Sequence, residues 1–90
     1  MSTRPSLYRI EIKRSAAKEI EAIGRLRDRQ RVIARIMRLA EDPRPPGSTK
    51  LTGEEVYRIR QGDYRMVYTI ADDVLVVEVI RVGHRREVYR

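Results

Sequence analysis

The sequence predicts an α+β domain of order βααβββ, with a two-helix hairpin packed on one face of a curved, mainly antiparallel four-stranded sheet. Three observations lead there. One alternating segment precedes two stretches with helical periodicity, a proline-rich break follows them, and three alternating segments separated by short turns complete the chain. At 90 residues there is room for one hydrophobic core, so residues 1–90 are expected to fold as a single domain.

The first strand is Tyr8-Arg9-Ile10-Glu11-Ile12, with Tyr8, Ile10 and Ile12 on the buried side of the alternation. Ser15 suits a helix N-cap before Ala16 to Ile23, where Ala16, Ile20 and Ile23 share one stripe and Gly24 follows as a stop. The second helix is expected from about Arg27 to Glu41. Val32, Ile33, Ile36, Met37, Leu39 and Ala40 give it a wide apolar face, with Arg29, Arg31, Arg35 and Arg38 largely opposite. Asp42-Pro43-Arg44-Pro45-Pro46-Gly47-Ser48 cannot continue that helix, because each proline removes a donor and restricts the residue before it; it reads as a loop within the domain. Three strands follow, Val56 to Arg60, Tyr64 to Ala71 and Val74 to Val82. The turns at Gln61-Gly62-Asp63 and Asp72-Asp73 make them consecutive and antiparallel. The helices would cover one sheet face and leave the other to hold a ligand.

Composition narrows the function. The chain lacks Cys, Phe and Trp, so Ile, Val, Leu and five Tyr must fill the core, and neither disulfides nor a thiolate metal site can form. The single His84 cannot build a zinc site, and no cofactor fingerprint, phosphate-binding glycine loop or nucleophile with an adjacent base is present. Met1 to Arg9 lacks the apolar core of a signal peptide, and the longest apolar run, Val74 to Val77, is too short to span a bilayer; a soluble cytoplasmic protein is expected. Net charge is +7, and 17 of the 20 basic residues are Arg. Arginine presents a planar fork that matches phosphate oxygens, so an anionic partner is favoured, nucleic acid or an acidic protein. A genome rich in arginine codons would account for part of the bias.

Strand alternation places Arg58 and Arg60 together, opposite Tyr57 and Ile59, with Arg65 just beyond the turn on the next strand. Arg81, Arg85 and Arg86 lie on or after the last strand, and Tyr89 closes the cluster. One reading is a basic bowl for nucleic acid, with Tyr89 available to stack on a base. The other is a set of ordinary strand arginines paired with Glu54, Glu55, Glu78 and Glu87. Tyr64 and Tyr68 share the phase of Met66 and Ile70, which assigns them to the core rather than to a stacking platform.

The segments Lys50-Leu51, Tyr57-Arg58-Ile59-Arg60-Gln61-Gly62-Asp63-Tyr64-Arg65-Met66-Val67-Tyr68 and Val82-Gly83-His84-Arg85-Arg86-Glu87-Val88-Tyr89 together resemble the RelE toxins of bacterial toxin-antitoxin modules, within the RelE/ParE superfamily. The βααβββ order agrees along the whole chain. The resemblance implies a toxin that cleaves mRNA in the ribosomal A site, without metal or other cofactor, by attack of a ribose 2′-hydroxyl on the adjacent phosphate. Its implied partners are a small cognate antitoxin that wraps the toxin, the ribosome and mRNA.

By position, Arg60, Arg65 and Arg85 would stabilise the phosphorane, and Tyr89 would stack on a base and orient or deprotonate the hydroxyl. Arg58, Lys50, Arg81 and Arg86 would bind RNA. His84, whose unperturbed pKa suits proton transfer, is a candidate acid or base; the alternative is a ring satisfied by backbone at the strand end. Arg58 and Arg60 stand where relatives often carry lysine, and an arginine with a pKa above about 12 is a poor proton shuttle. Relatives resembling ParE share the fold, inhibit DNA gyrase and generally lack the terminal Arg/Tyr pair, which this chain keeps as Arg85 and Tyr89. A ParE-like gyrase inhibitor and a non-catalytic binding relative remain the alternatives.

Overall fold

A computed structural model describes residues 7–51 and 55–84. The elements are β1 (Arg9–Ile12), α1 (Arg14–Glu21), α2 (Leu26–Arg38), β2 (Thr49–Lys50), β3 (Val56–Gln61), β4 (Tyr64–Ala71) and β5 (Val76–His84). They form one five-stranded sheet in the order β1-β5-β4-β3-β2, with β1 parallel to β5 and the other pairs antiparallel.

The expected α+β architecture is present with one more strand than the four read from sequence. The addition is β2, which pairs Thr49 with Arg58 and Lys50 with Tyr57 at the edge of β3. A two-residue strand has no periodicity of its own and exists only because β3 offers it a partner.

Element ends also moved. Helix α1 starts directly after Lys13, whose N–H still donates to the Val79 carbonyl, so the chain turns from strand to helix with no side-chain cap; Ser15 lies inside the first turn. Helix α2 ends at Arg38 rather than Glu41, and the Glu41 and Asp42 N–H groups fold back to the Arg38 carbonyl ahead of Pro43. Strand β5 begins at Val76, because Leu75 takes a left-handed φ of 55° in the β4–β5 loop. Gly62, with φ of 61°, sits first in the two-residue turn between Gln61 and Tyr64, where a hairpin of this length needs a positive φ.

The core lies between the helices and one sheet face. Ala16, Ile20 and Ile23 from the first helical segment and Val32, Ile36 and Leu39 from the second meet Tyr57, Ile59, Met66, Tyr68, Ile70, Val77, Val79 and Val82. Tyr8, Ile10, Ile12 and Tyr64 pack partly buried against this cluster. The apolar face read for α2 is wider than what is buried: Ile33 and Met37 are exposed at 39% and 51%. Only the stripe through Val32 and Ile36 faces the sheet. Among the described residues no helix is long and apolar enough to cross a membrane.

One irregularity sets which side chains reach which face. Between β4 and β5 the register steps from Val67↔Arg81 to Tyr68↔Val79, leaving Ile80 as the extra residue of a β-bulge. Strict alternation from Val77 and Val79 would drive Arg81 into the core. The bulge resets the phase, so that Val82 is buried and Arg81 is exposed.

Candidate anion-binding cleft

Cross-strand partners share a sheet face, so the ladders define the site. On the face turned away from the helices, Thr49, Arg58, Val67 and Arg81 form one row across β2, β3, β4 and β5. Arg60, Arg65 and Gly83 form the next. Gly83 presents no side chain beside Arg65. Arg58, Arg60 and Arg65 line a cleft of about 180 Å³ together with Gly47, Thr49 and Ile59, and none of these described lining residues is acidic. Three guanidiniums around a pocket of that size suit a phosphate group, since each offers a planar donor fork.

The structure separates His84 and Lys50 from this cleft. His84 pairs with Tyr64, on the helix side, where the two rings meet edge to face with centroids 5.8 Å apart. It lines a different hollow, about 390 Å³, with Glu19, Ala22, Ile23, Tyr64 and Val82. Lys50 pairs with Tyr57, also on the helix side, and its Nζ lies 3.1 Å from Glu55. Arg81 stands in the arginine row, yet its Nε lies 3.6 Å from Glu19 of α1. Arg85, Arg86 and Tyr89 lie outside the described residues.

Sequence reasoning missed three features. Thr49 and Gly47 form a cleft wall, a placement that depends on β2 adding to β3. Glu19 accepts a 2.7 Å hydrogen bond from the Val82 N–H, taking the place of β1 where that strand has ended. A polar network surrounds Arg44. Its Nη1 and Nη2 donate to the two carboxylate oxygens of Asp72 at 3.2 and 2.9 Å, and its Nε donates to the Tyr57 hydroxyl at 3.0 Å. Tyr8 donates to the same carboxylate at 2.6 Å. The hydrogen bonds from Arg44 and Tyr8 hold the Asp72 carboxyl down at about 2. Tyr57 in turn stacks on Tyr68, centroids 5.9 Å apart, and the Tyr68 hydroxyl donates to the Pro43 carbonyl at 2.7 Å. Burial pushes the Tyr68 phenol up to about 12. The signal in the sequence was thin: an arginine inside a proline-rich loop.

The fold and the cleft thus define a small α+β domain that groups three arginines on the sheet face opposite its helices. Residues 10–89 match the family described as ParE toxin of type II toxin-antitoxin system, parDE. Among solved structures, the archaeal RelE–RelB complex from Pyrococcus horikoshii is 25% identical, covers 88% of this chain and 96% of that chain, and superposes with a TM-score of 0.78. The isolated E. coli RelE toxin is 31% identical, with coverages of 86% and 83% and a TM-score of 0.74. RelE in the intact E. coli RelBE toxin-antitoxin complex is also 31% identical, with coverages of 86% and 95% and a TM-score of 0.73. No curated protein matches the sequence. The chain belongs to the RelE/ParE superfamily and is a toxin of a type II toxin-antitoxin system.

Proposed function

We propose that this toxin is a metal-independent endoribonuclease that cleaves mRNA on the ribosome and is neutralised by a cognate antitoxin. The observation that carries the reading is the convergence of Arg58, Arg60 and Arg65 on one cleft. In the reaction the 2′-oxygen bonds to the adjacent phosphorus as its proton leaves, the P–O5′ bond breaks, and the departing oxygen takes up a proton. The products are a 2′,3′-cyclic phosphate and a 5′-hydroxyl end. Charge builds on the non-bridging oxygens along the way, and Arg60 and Arg65, with Arg85, offset it; Arg58 and Arg86 hold the flanking phosphates. Tyr89 stacks on a base and orients the hydroxyl. Proton transfer is not assigned to His84, which sits on the opposite sheet face from the arginines. Arg81 and Lys50 are engaged with Glu19 and Glu55, so their RNA contacts are secondary.

The antitoxin partner is supported by relatives solved as RelE–RelB complexes and by the +7 charge, which favours rapid association with an acidic protein. The test is a reconstituted translation reaction comparing wild type with Arg60→Ala, Arg85→Ala and Tyr89→Ala. Codon-positioned cleavage by wild type, reduced at least tenfold in the variants, is expected; growth arrest with intact mRNA would defeat the reading. The family match over residues 10–89 and the lack of lysine in the cleft favour a second reading, a gyrase inhibitor. Purified gyrase retaining full supercoiling activity in the presence of the toxin would remove it.

A further inference from the structure

The connection between α2 and β2 is tied down more firmly than its proline-rich sequence requires. Pro43 is held through its carbonyl by Tyr68, the Arg44 N–H donates to Asp42 Oδ1 at 3.1 Å, and the Ser48 N–H donates to the Pro45 carbonyl at 3.0 Å. Arg44 then anchors the segment at two points, to Tyr57 on β3 and to Asp72 in the turn after β4. Immediately downstream are Gly47, with φ of 95°, and Thr49, the register partner of Arg58. Both line the arginine cleft. The segment that Arg44 holds at one end supplies the cleft wall at the other.

Stability alone is a poor explanation of this anchor. The Arg44 and Asp72 side chains are 40% and 54% exposed, and ion pairs so open to water contribute little. What a bidentate fork with a third bond through Nε does supply is direction, because all three donors lie in one rigid plane.

We propose that Arg44, anchored by Asp72, is a positioning residue for the cleft: it fixes the 43–49 segment so that Gly47 and Thr49 close the pocket around Arg58, Arg60 and Arg65. The proposal rests on reading the cleft as an RNA phosphate site. Its mechanism is indirect, since Arg44 itself touches neither the cleft nor the ligand. Displacing a wall by about an ångström suffices to spoil oriented contacts to a phosphate.

The test uses the full-length toxin and two independent readouts. Binding of inorganic phosphate is followed by NMR of the arginine Nε–H signals, and mRNA cleavage is measured on programmed ribosomes. Arg44→Ala and Asp72→Asn should each weaken phosphate binding by about tenfold and lower kcat similarly, with KM within about twofold. Arg44→Lys should not restore binding, because it lacks the fork, whereas Tyr8→Phe, which leaves the fork intact, should bind like wild type. Thermal midpoints separate positioning from unfolding. Ile20→Val, a truncation in the core far from this segment, serves as the destabilised control and should keep its phosphate affinity while folded. Unchanged phosphate affinity in folded Arg44→Ala or Asp72→Asn overturns the proposal, as does a loss that Ile20→Val reproduces at equal destabilisation. If wild type binds phosphate but cleaves no mRNA, the ribonuclease reading falls while the binding comparison still decides the role of Arg44.

Discussion

Arg60 and Arg65 stand directly opposite one another across the β3–β4 ladder, two like charges in register beside the hairpin turn. Like charges at opposed positions destabilise a sheet by roughly 0.2–1 kcal/mol. On the phosphate-site reading, an anion bound between the pair would offset that cost.

This relationship predicts stabilisation by anions. Inorganic phosphate should raise the thermal midpoint of the wild type. Arg60→Thr should raise the midpoint of the ligand-free protein, through relief of about 0.2–1 kcal/mol, and should abolish most of the phosphate effect. Calorimetry with and without phosphate checks both. A phosphate effect of the same size in Arg60→Thr would place the anion elsewhere.

Asp72 should titrate at about 2 in the folded protein. Its carboxyl is held below the ordinary 3.8 chiefly by the hydrogen bonds from Arg44 and Tyr8. A depressed folded pKa means that the contribution is fully present above the unfolded value and is lost as pH falls through the folded one. The loss therefore belongs to the window between about 4 and about 2. In Arg44→Ala the carboxyl 13C titration of Asp72 should move up towards the ordinary carboxylate range. A midpoint that stays near its wild-type position would show that Arg44 is not its main perturbation.

Glu19 is predicted to matter as an acceptor more than as a charge. Glu19→Ala leaves the Val82 N–H without its 2.7 Å partner at a half-covered strand edge, which should destabilise by about 1–3 kcal/mol. Glu19→Gln retains a carbonyl oxygen and should lose only the weak pairing with Arg81, less than about 1 kcal/mol. Chemical denaturation of the three proteins orders them as wild type, Gln, Ala from most to least stable. Equal losses in Gln and Ala would assign the effect to charge.

Tyr68→Phe removes a buried hydroxyl and strands the Pro43 carbonyl, which accepts from it at 2.7 Å. The expected cost is about 1–3 kcal/mol, with the Tyr57 stack retained because the ring is unchanged. Faster amide exchange should appear at Arg44 and Ser48, whose N–H groups bond within the proline-rich segment. A stability loss without faster exchange there would mean that Pro43 is not the tie holding this segment.

Much of the fold was legible because it is written locally. Ala16, Ile20 and Ile23 mark a stripe that is buried as expected, and Tyr57, Ile59, Met66, Tyr68 and Ile70 alternate into the core. Gly62 names its own turn. The grouping of Arg58, Arg60 and Arg65 follows from alternation and one short hairpin, so it was readable from the residues alone. His84 was not, because its face depends on a phase change at Ile80 that no residue type announces. The face of Lys50 was not legible for a related reason: it depends on pairing with Tyr57.

By itself the sequence determined the βααβββ order of the longer elements, the core stripes, the basic character and the arginine trio. These depend on periodicity, turn chemistry and charge, which act over a few residues. Tertiary structure alone decided the bulge that turns Arg81 outward and His84 inward, the addition of β2, and the anchoring of Arg44 to Asp72, 28 residues away. Each needs two segments distant in the chain to meet. The energy of such a meeting is a property of the pair and is recorded in neither segment alone.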